Sequence, residues 1–136
     1  MTIKIFHNPR CSKSRQTLTI LEDNGIDVDI IEYLKESPNK ETLLQIINLL
    51  DINPRDLIRK GEAVYKEKGL NRDDLTDDDL VQFMVDNPIL IERPIVYDDN
   101  RAIIGRPPEN VLIFLKWTEK IKTLIKDSKI KKTIDL

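Results

Sequence analysis

The sequence predicts a mixed α/β domain built on a four-stranded sheet. Three observations lead there. Residues 3–34 carry a strand, helix, strand succession; residues 94–105 carry a β-branched strand, a turn and a returning strand; and the stretch between them has helical spacing broken by capping residues. A strand, helix, strand succession of that length is a βαβ unit, which places its two strands parallel with a right-handed crossover.

The first strand is Ile3 to Phe6, where Ile3 and Ile5 alternate with Lys4, and Asn8-Pro9 breaks the extended run. From Ser12 the pattern turns helical, with Ser14, Leu18 and Leu21 at spacings of three and four and Asn24-Gly25 as the stop. Ile26, Val28 and Ile30 alternate with Asp27 and Asp29 in a second strand that closes over Ile31 to Leu34. Ser37-Pro38 reads as an N-cap with a first-turn proline, opening a helix whose apolar face is Leu43, Ile46, Ile47 and Leu50. Asn53-Pro54 repeats the device for a short helix through Leu57 and Ile58, with Arg59 and Lys60 at its end and Gly61 as the stop.

Glu62 to Lys68 reads as another turn or two of helix, ended by Gly69. The acidic run Asp73, Asp74, Asp77, Asp78 and Asp79 lacks the alternating ligands and central glycine of a calcium loop, so no metal is expected. Thr76 instead caps a helix with an acidic first turn, burying Leu80, Phe83 and Met84 and ending at Asn87-Pro88. Pro94 stands at the start of the strand Ile95-Val96-Tyr97, Asp98-Asp99-Asn100-Arg101 is the hairpin turn, and Ala102 to Gly105 return. Arg106-Pro107-Pro108-Glu109 opens a last amphipathic helix with Val111, Leu112 and Leu115. One domain over 1–115 is expected, with a helical insertion at about 38–90 and a basic tail at 116–136. In that tail seven lysines outnumber Glu119, Asp127 and Asp135; it reads either as a frayed solvated helix or as a docking segment.

A chain of 136 residues with 40% hydrophobic and 34% charged content is one ordinary globular domain. A net charge of −2 gives no push toward nucleic acid. No apolar run approaches the roughly 18 residues of a membrane span, and the amino-terminal residues lead into a strand rather than a signal core, so a cytoplasmic protein without membrane partners is expected. The single cysteine fits a reducing compartment and restricts the chemistry, because any disulfide must join another molecule.

That cysteine, Cys11, sits where the first strand hands over to the first helix, four residues after the only histidine, His7. Unpaired N–H groups and a dipole of roughly half a positive charge gather at a helix start and favour thiolate over thiol. Arg10 and Arg15 flank the sulfur, a setting that activates a cysteine as a nucleophile. The same groups also suit a phosphate-shaped oxyanion. A buried structural cysteine is the competing reading, and the Arg, Ser and Lys around Cys11 argue against it. For His7, a structural place at the strand end competes with a role beside the sulfur. Zinc is disfavoured, since it needs three or four protein ligands and only Cys11 and His7 lie together.

Asn8-Pro9-x-Cys11-x-x-Ser14-Arg15, the later Arg93-Pro94-Ile95-Val96, and Arg106-Pro107 together resemble the glutaredoxin-coupled arsenate reductase family, over about Ile3 to Leu115. The resemblance implies a thioredoxin-like four-stranded mixed sheet with an inserted helical subdomain, and a cis Pro94 beside the catalytic thiol. It implies Cys11 as nucleophile, Ser14 where a glutaredoxin has its second cysteine, His7 near the thiolate, and Arg59, Arg93 and Arg106 as oxyanion ligands, to which the helix-start reading adds Arg15 as a further oxyanion-binding residue. The implied reaction is attack of Cys11 on arsenate to give a thiol arsenate ester, followed by addition of glutathione as co-substrate and removal of the mixed disulfide by glutaredoxin. No bound cofactor is implied. An anionic tetrahedral substrate needs positive forks, and a one-cysteine enzyme needs an external thiol.

Two stretches depart from the family pattern. Cys11-Ser12-Lys13-Ser14-Arg15 stands for Cys-Gly-Thr-Ser-Arg, and Gly105-Arg106-Pro107 stands for Cys-Arg-Pro, a form shared with a related subgroup whose substrate the resemblance does not fix. Two other classes stay open. One is a monothiol oxidoreductase acting on glutathione mixed disulfides, for which Cys-x-x-Ser is the matching pattern. The other is an Spx-like regulatory module that binds RNA polymerase, against which Ser14 counts by removing the Cys-x-x-Cys switch.

Overall fold

In the computed structural model, which describes residues 2–116, a four-stranded sheet runs in the order β2-β1-β3-β4. Its strands are β1 (Ile3–Phe6), β2 (Val28–Ile31), β3 (Ile95–Tyr97) and β4 (Ala102–Ile104). β1 pairs parallel with β2 across helix α1 (Ser12–Asp23), while β1–β3 and β3–β4 are antiparallel. The mixed sheet is the one expected from a βαβ unit followed by a hairpin. β2 is shorter than its apolar pattern, because the chain turns at Tyr33 instead of extending to Leu34.

Period-two alternation sends neighbouring strand residues to two separate cores. Phe6, Ile95 and Tyr97 face one, formed with Leu43, Ile46, Leu57, Leu80 and Met84. Ile5 and Val96 face the other, with Leu21, Val111, Phe114 and Leu115. The first core is covered by the segment between β2 and β3, which carries α2 (Lys40–Leu50), α3 (Pro54–Leu57), α4 (Ala63–Glu67) and α5 (Asp77–Asp86). The second is covered by α1 and the helical residues 111–116.

Local capping differs from the sequence reading in three places. α2 is capped by Asn39, whose Oδ1 accepts from the Thr42 N–H at 2.7 Å, and Ser37 instead donates its hydroxyl to the Val85 carbonyl at 2.6 Å. α3 stops at Leu57, because the backbone of residues 57–59 is taken up by pairing with residues 90–92. After the 3₁₀ turn at Pro108–Asn110, the buried face of the next helix is Val111, Phe114 and Leu115, while Leu112 is exposed. Thr76 caps α5 as expected, Asp79 completes a capping box with it, and Asp77, Asp78 and Asp79 sit in the first turn.

Among the described residues no helix is long and apolar enough to cross a membrane. Apart from Lys116, the lysine-rich tail lies outside the described residues.

Candidate active site

Strand register brings distant segments to one end of the sheet. Phe6 pairs with Ile31 and Ile95, and Ile95 pairs with Ile104, so a single row crosses all four strands. One or two residues beyond that row stand His7, Tyr33, Arg93-Pro94 and Gly105-Arg106. The His7 N–H donates to the Ile31 carbonyl and the Gly105 N–H to the Pro94 carbonyl, both at 2.9 Å, which extends the frame past the strands. The peptide bonds Arg93-Pro94 and Arg106-Pro107 are both cis; the first agrees with the family resemblance, and the second had no signal in the sequence reading.

Arg59 arrives from the helical segment. Ile58 forms an antiparallel bridge with Ile91, the Arg59 N–H donates to the Leu90 carbonyl and the Glu92 N–H to the Leu57 carbonyl, each at 2.8 Å. This pairing fixes Arg59 beside Glu92, in extended chain rather than at a helix end.

Cys11 is the N-cap residue of α1, with extended backbone and 9% of its surface exposed. Its N–H donates to the Asn8 carbonyl and its carbonyl accepts from the Arg15 N–H, both at 3.0 Å, while the thiol makes no capping bond. The turn before it is tied by three further contacts. Asn8 Oδ1 accepts from the Arg10 N–H, the Asn8 N–H donates to Ser14 Oγ, and Arg15 Nη1 donates to the Pro9 carbonyl at 2.9 Å. Arg15, expected as a further oxyanion ligand, braces the loop from an exposed position and is not among the arginines paired with Glu92.

His7 and Ser14 are both buried, and His7 Nδ1 lies 2.6 Å from Ser14 Oγ. Burial is the main influence that holds the His7 pKa below 6.5; Glu32 opposes it and Arg15 adds to it. Ser14 Oγ, which accepts from the Asn8 N–H, shares this second hydrogen bond with His7 Nδ1, and its direction follows the ring tautomer. His7 thus reaches the site through Ser14, by way of the loop that holds Cys11.

Arg59, Arg93 and Arg106 do come together. Arg59 Nε, Arg93 Nη1 and Arg106 Nε each lie 3.8 Å from one oxygen, Glu92 Oε1. That spacing allows ion pairing but is too long for a hydrogen bond. Arg93 Nε and Nη1 are buried and have no hydrogen-bond partner. Arg59 is further paired with Glu62 through Nη1. Three guanidinium groups thus face two carboxylates, with the buried donors of Arg93 unused.

Tyr33 stands at the same end of the sheet. Its ring stacks on Phe6 at 5.8 Å between centroids, and only 1% of the residue is exposed. Burial pushes its phenol well above the ordinary value of 10; nearby Arg59 opposes the rise, while Cys11, Glu92 and Glu62 add to it. The phenol therefore keeps its proton, with Arg59 and Cys11 among the groups whose charge bears on it. Sequence reasoning gave neither Tyr33 nor Glu92 a role. Tyr33 read as one more apolar residue closing a strand, although an aromatic hydroxyl two residues past a strand beside a reactive turn is a usable signal. Glu92 stood in plain view next to Arg93, but its place between three arginines depends on the Ile58–Ile91 bridge.

Gly105 explains one departure from the family pattern. A Cβ there would meet Thr17 Oγ1 at 2.6 Å and Pro94 Cγ at 2.9 Å, so this chain has no room for the cysteine that stands in Cys-Arg-Pro. Among the described residues no group of three or more His, Cys, Asp or Glu is placed to hold a metal ion.

A sheet of order β2-β1-β3-β4, with a lone cysteine at the β1–α1 turn and a cis-proline leading into β3, is a thioredoxin-like α/β domain. The model of the ArsC family matches residues 6–114, and the chain belongs to that family. It is 48% identical over 111 residues to the uncharacterized protein YfgD of Escherichia coli (strain K12), covering 81% of this chain and 93% of that one. It is 44% identical to an arsenate reductase of Neisseria meningitidis serogroup B, covering 80% of this chain and 94% of the relative. The solved structure of an arsenate reductase from Vibrio cholerae superposes with a TM-score of 0.79 at 47% identity, covering 82% of this chain and 96% of that one.

Proposed function

We propose that this protein reduces arsenate to arsenite, with Cys11 as the nucleophile and glutathione and glutaredoxin as the source of electrons. The observation that carries the reading is the convergence of Arg59, Arg93 and Arg106, with unused buried donors on Arg93, at the sheet end that also holds Cys11. Guanidinium forks match the planar faces of a tetrahedral oxyanion, and a low-dielectric setting strengthens each contact.

The arginines hold the oxyanion and draw charge from its oxygens as the sulfur approaches. Cys11 sulfur forms a bond to pentavalent arsenic while one oxygen leaves as water, taking up protons. Tyr33, which keeps its phenolic proton, is the neutral donor we assign to that departure. The glutathione thiol then displaces a second arsenic-bound oxygen as water, forming a glutathione sulfur–arsenic bond. Attack by the glutaredoxin thiol on the glutathione sulfur leaves its electron pair on arsenic, which becomes trivalent, and hydrolysis of the Cys11–arsenic bond releases arsenite. In total two thiols are oxidised to one disulfide as arsenic gains two electrons, and Cys11 returns as a thiol. Exchange on glutathionylated proteins would use the same sulfur but leaves three converging arginines without a task.

The test is NADPH consumption in a coupled mixture of arsenate, glutathione, glutaredoxin and glutathione reductase, with Cys11→Ser run in parallel. Cys11-dependent turnover supports the proposal. A reduced, reactive Cys11 that gives none moves the function to mixed disulfides or to partner binding.

A further inference from the structure

We infer that Glu92 is a built-in competing anion, a carboxylate that occupies the arginine cradle in the empty enzyme and must be displaced before an oxyanion binds. The inference deepens the oxyanion reading above and rests on it. Glu92 Oε1 is the one atom near which all three arginines meet, at 3.8 Å from each. A carboxylate that organised the cluster would form short, paired bonds to the guanidinium groups. Glu92 instead sits at equal and longer distances, and its short contact is with the Arg93 backbone N–H at 3.2 Å. The donors of Arg93 stay unpartnered despite that neighbour. This is the arrangement of a placeholder: negative charge at the centre of three positive groups, with the directional donors kept for another ligand.

Glu92 also has somewhere to go. Its side chain is 29% exposed, against 13% for Arg93, so it can swing toward water while the arginine stays packed. Glu62 differs, because its short contact is with Arg59 alone. Reduction to arsenite yields a neutral acid near neutral pH, which removes the charge that displaced Glu92 and favours the carboxylate's return.

The experiment measures binding of inorganic phosphate, a tetrahedral anion that cannot be reduced, by calorimetry to the wild-type protein, Glu92→Gln, Glu92→Asp and Glu62→Gln. Glutamine keeps the shape and the acceptor for the Arg93 N–H but removes the charge, whereas aspartate keeps the charge. Removing a unit charge this close to three cations is expected to tighten phosphate binding about tenfold or more and to lower the KM for arsenate by a similar factor. Glu92→Asp should stay within about threefold of wild type, and Glu62→Gln should gain less than Glu92→Gln. Unchanged or weaker binding in a folded Glu92→Gln protein overturns the inference, and continued arsenate turnover by the wild type would leave the proposed function standing. Absence of phosphate and arsenate binding to every protein, together with no turnover, overturns both.

Discussion

Replacing Arg93 by methionine separates catalytic from structural roles. The guanidinium has two buried nitrogens, Nε and Nη1, with no hydrogen-bond partner, and its nearest anion is at 3.8 Å. Leaving a polar group buried and unsatisfied costs about 1–3 kcal/mol, while a partly exposed ion pair recovers only about 0–1 kcal/mol. Methionine keeps the length and apolar stem of the side chain and removes the unsatisfied groups and the repulsion from Arg59 and Arg106. Folding stability should therefore stay level or rise by about 1–2 kcal/mol. Catalysis should move the other way. A hydrogen bond to a charged group is worth about 1.5–3 kcal/mol, so kcat/KM for arsenate should fall about 10- to 150-fold. Urea unfolding followed by circular dichroism gives the first quantity and the coupled NADPH assay the second. A stability loss of about 2 kcal/mol or more alongside the fall in activity would refute the reasoning, since it would make Arg93 a structural residue.

Three further outcomes follow from the geometry. His7 is held neutral by burial, so below about pH 6.5 the unfolded chain binds a proton that the folded one refuses. Stability should accordingly rise with pH through the window just below 6.5, and His7→Gln should flatten that slope in urea titrations; an unchanged slope would remove His7 as its source. Gly105→Ala should destabilise by about 1–3 kcal/mol, read by thermal or urea unfolding, because its Cβ would fall within 3.0 Å of buried Thr17 and Pro94 atoms; no loss would show that these side chains yield. Tyr33→Phe keeps the ring stacked on Phe6 and removes the protonated phenol, so kcat should drop about tenfold or more with the melting temperature unchanged; an unaltered kcat would exclude the phenol from catalysis.

How much of this was legible in the sequence depended on whether the signal was local. The strands around Ile5, Val28, Val96 and Ile103, the α5 cap at Thr76 and the hairpin at Asp98 to Arg101 follow from neighbouring residues, and all appear, with β2 cut short at Ile31. The Ser37-Pro38 cap failed because Asn39 offered a better acceptor one step on, and the distant Val85 carbonyl took the serine hydroxyl. Leu112 read as buried by spacing alone, but the helix turns Val111 and Phe114 to the sheet instead. Cys11 and His7 were readable as neighbours because four residues separate them, whereas Ser14 joined them only through the family resemblance. That Arg59, Arg93 and Arg106 meet was legible only through family resemblance, since their meeting depends on the sheet row from Ile31 to Ile104 and the Ile58–Ile91 bridge. Glu92 and Tyr33 became meaningful only once those pairings were in place.

The most direct test of the central claim is whether an oxyanion held by the arginines lies against the Cys11 sulfur. Alkylation of this lone thiol by iodoacetamide, followed by intact-protein mass spectrometry, reports that proximity without any electron donor. Arsenate should slow the modification of the wild-type protein in a saturable manner, chloride at equal ionic strength should not, and Arg93→Met should need about 10- to 150-fold more arsenate for the same protection. Alkylation indifferent to arsenate, or protected equally in Arg93→Met, would contradict the assignment of these arginines and this cysteine to one active site.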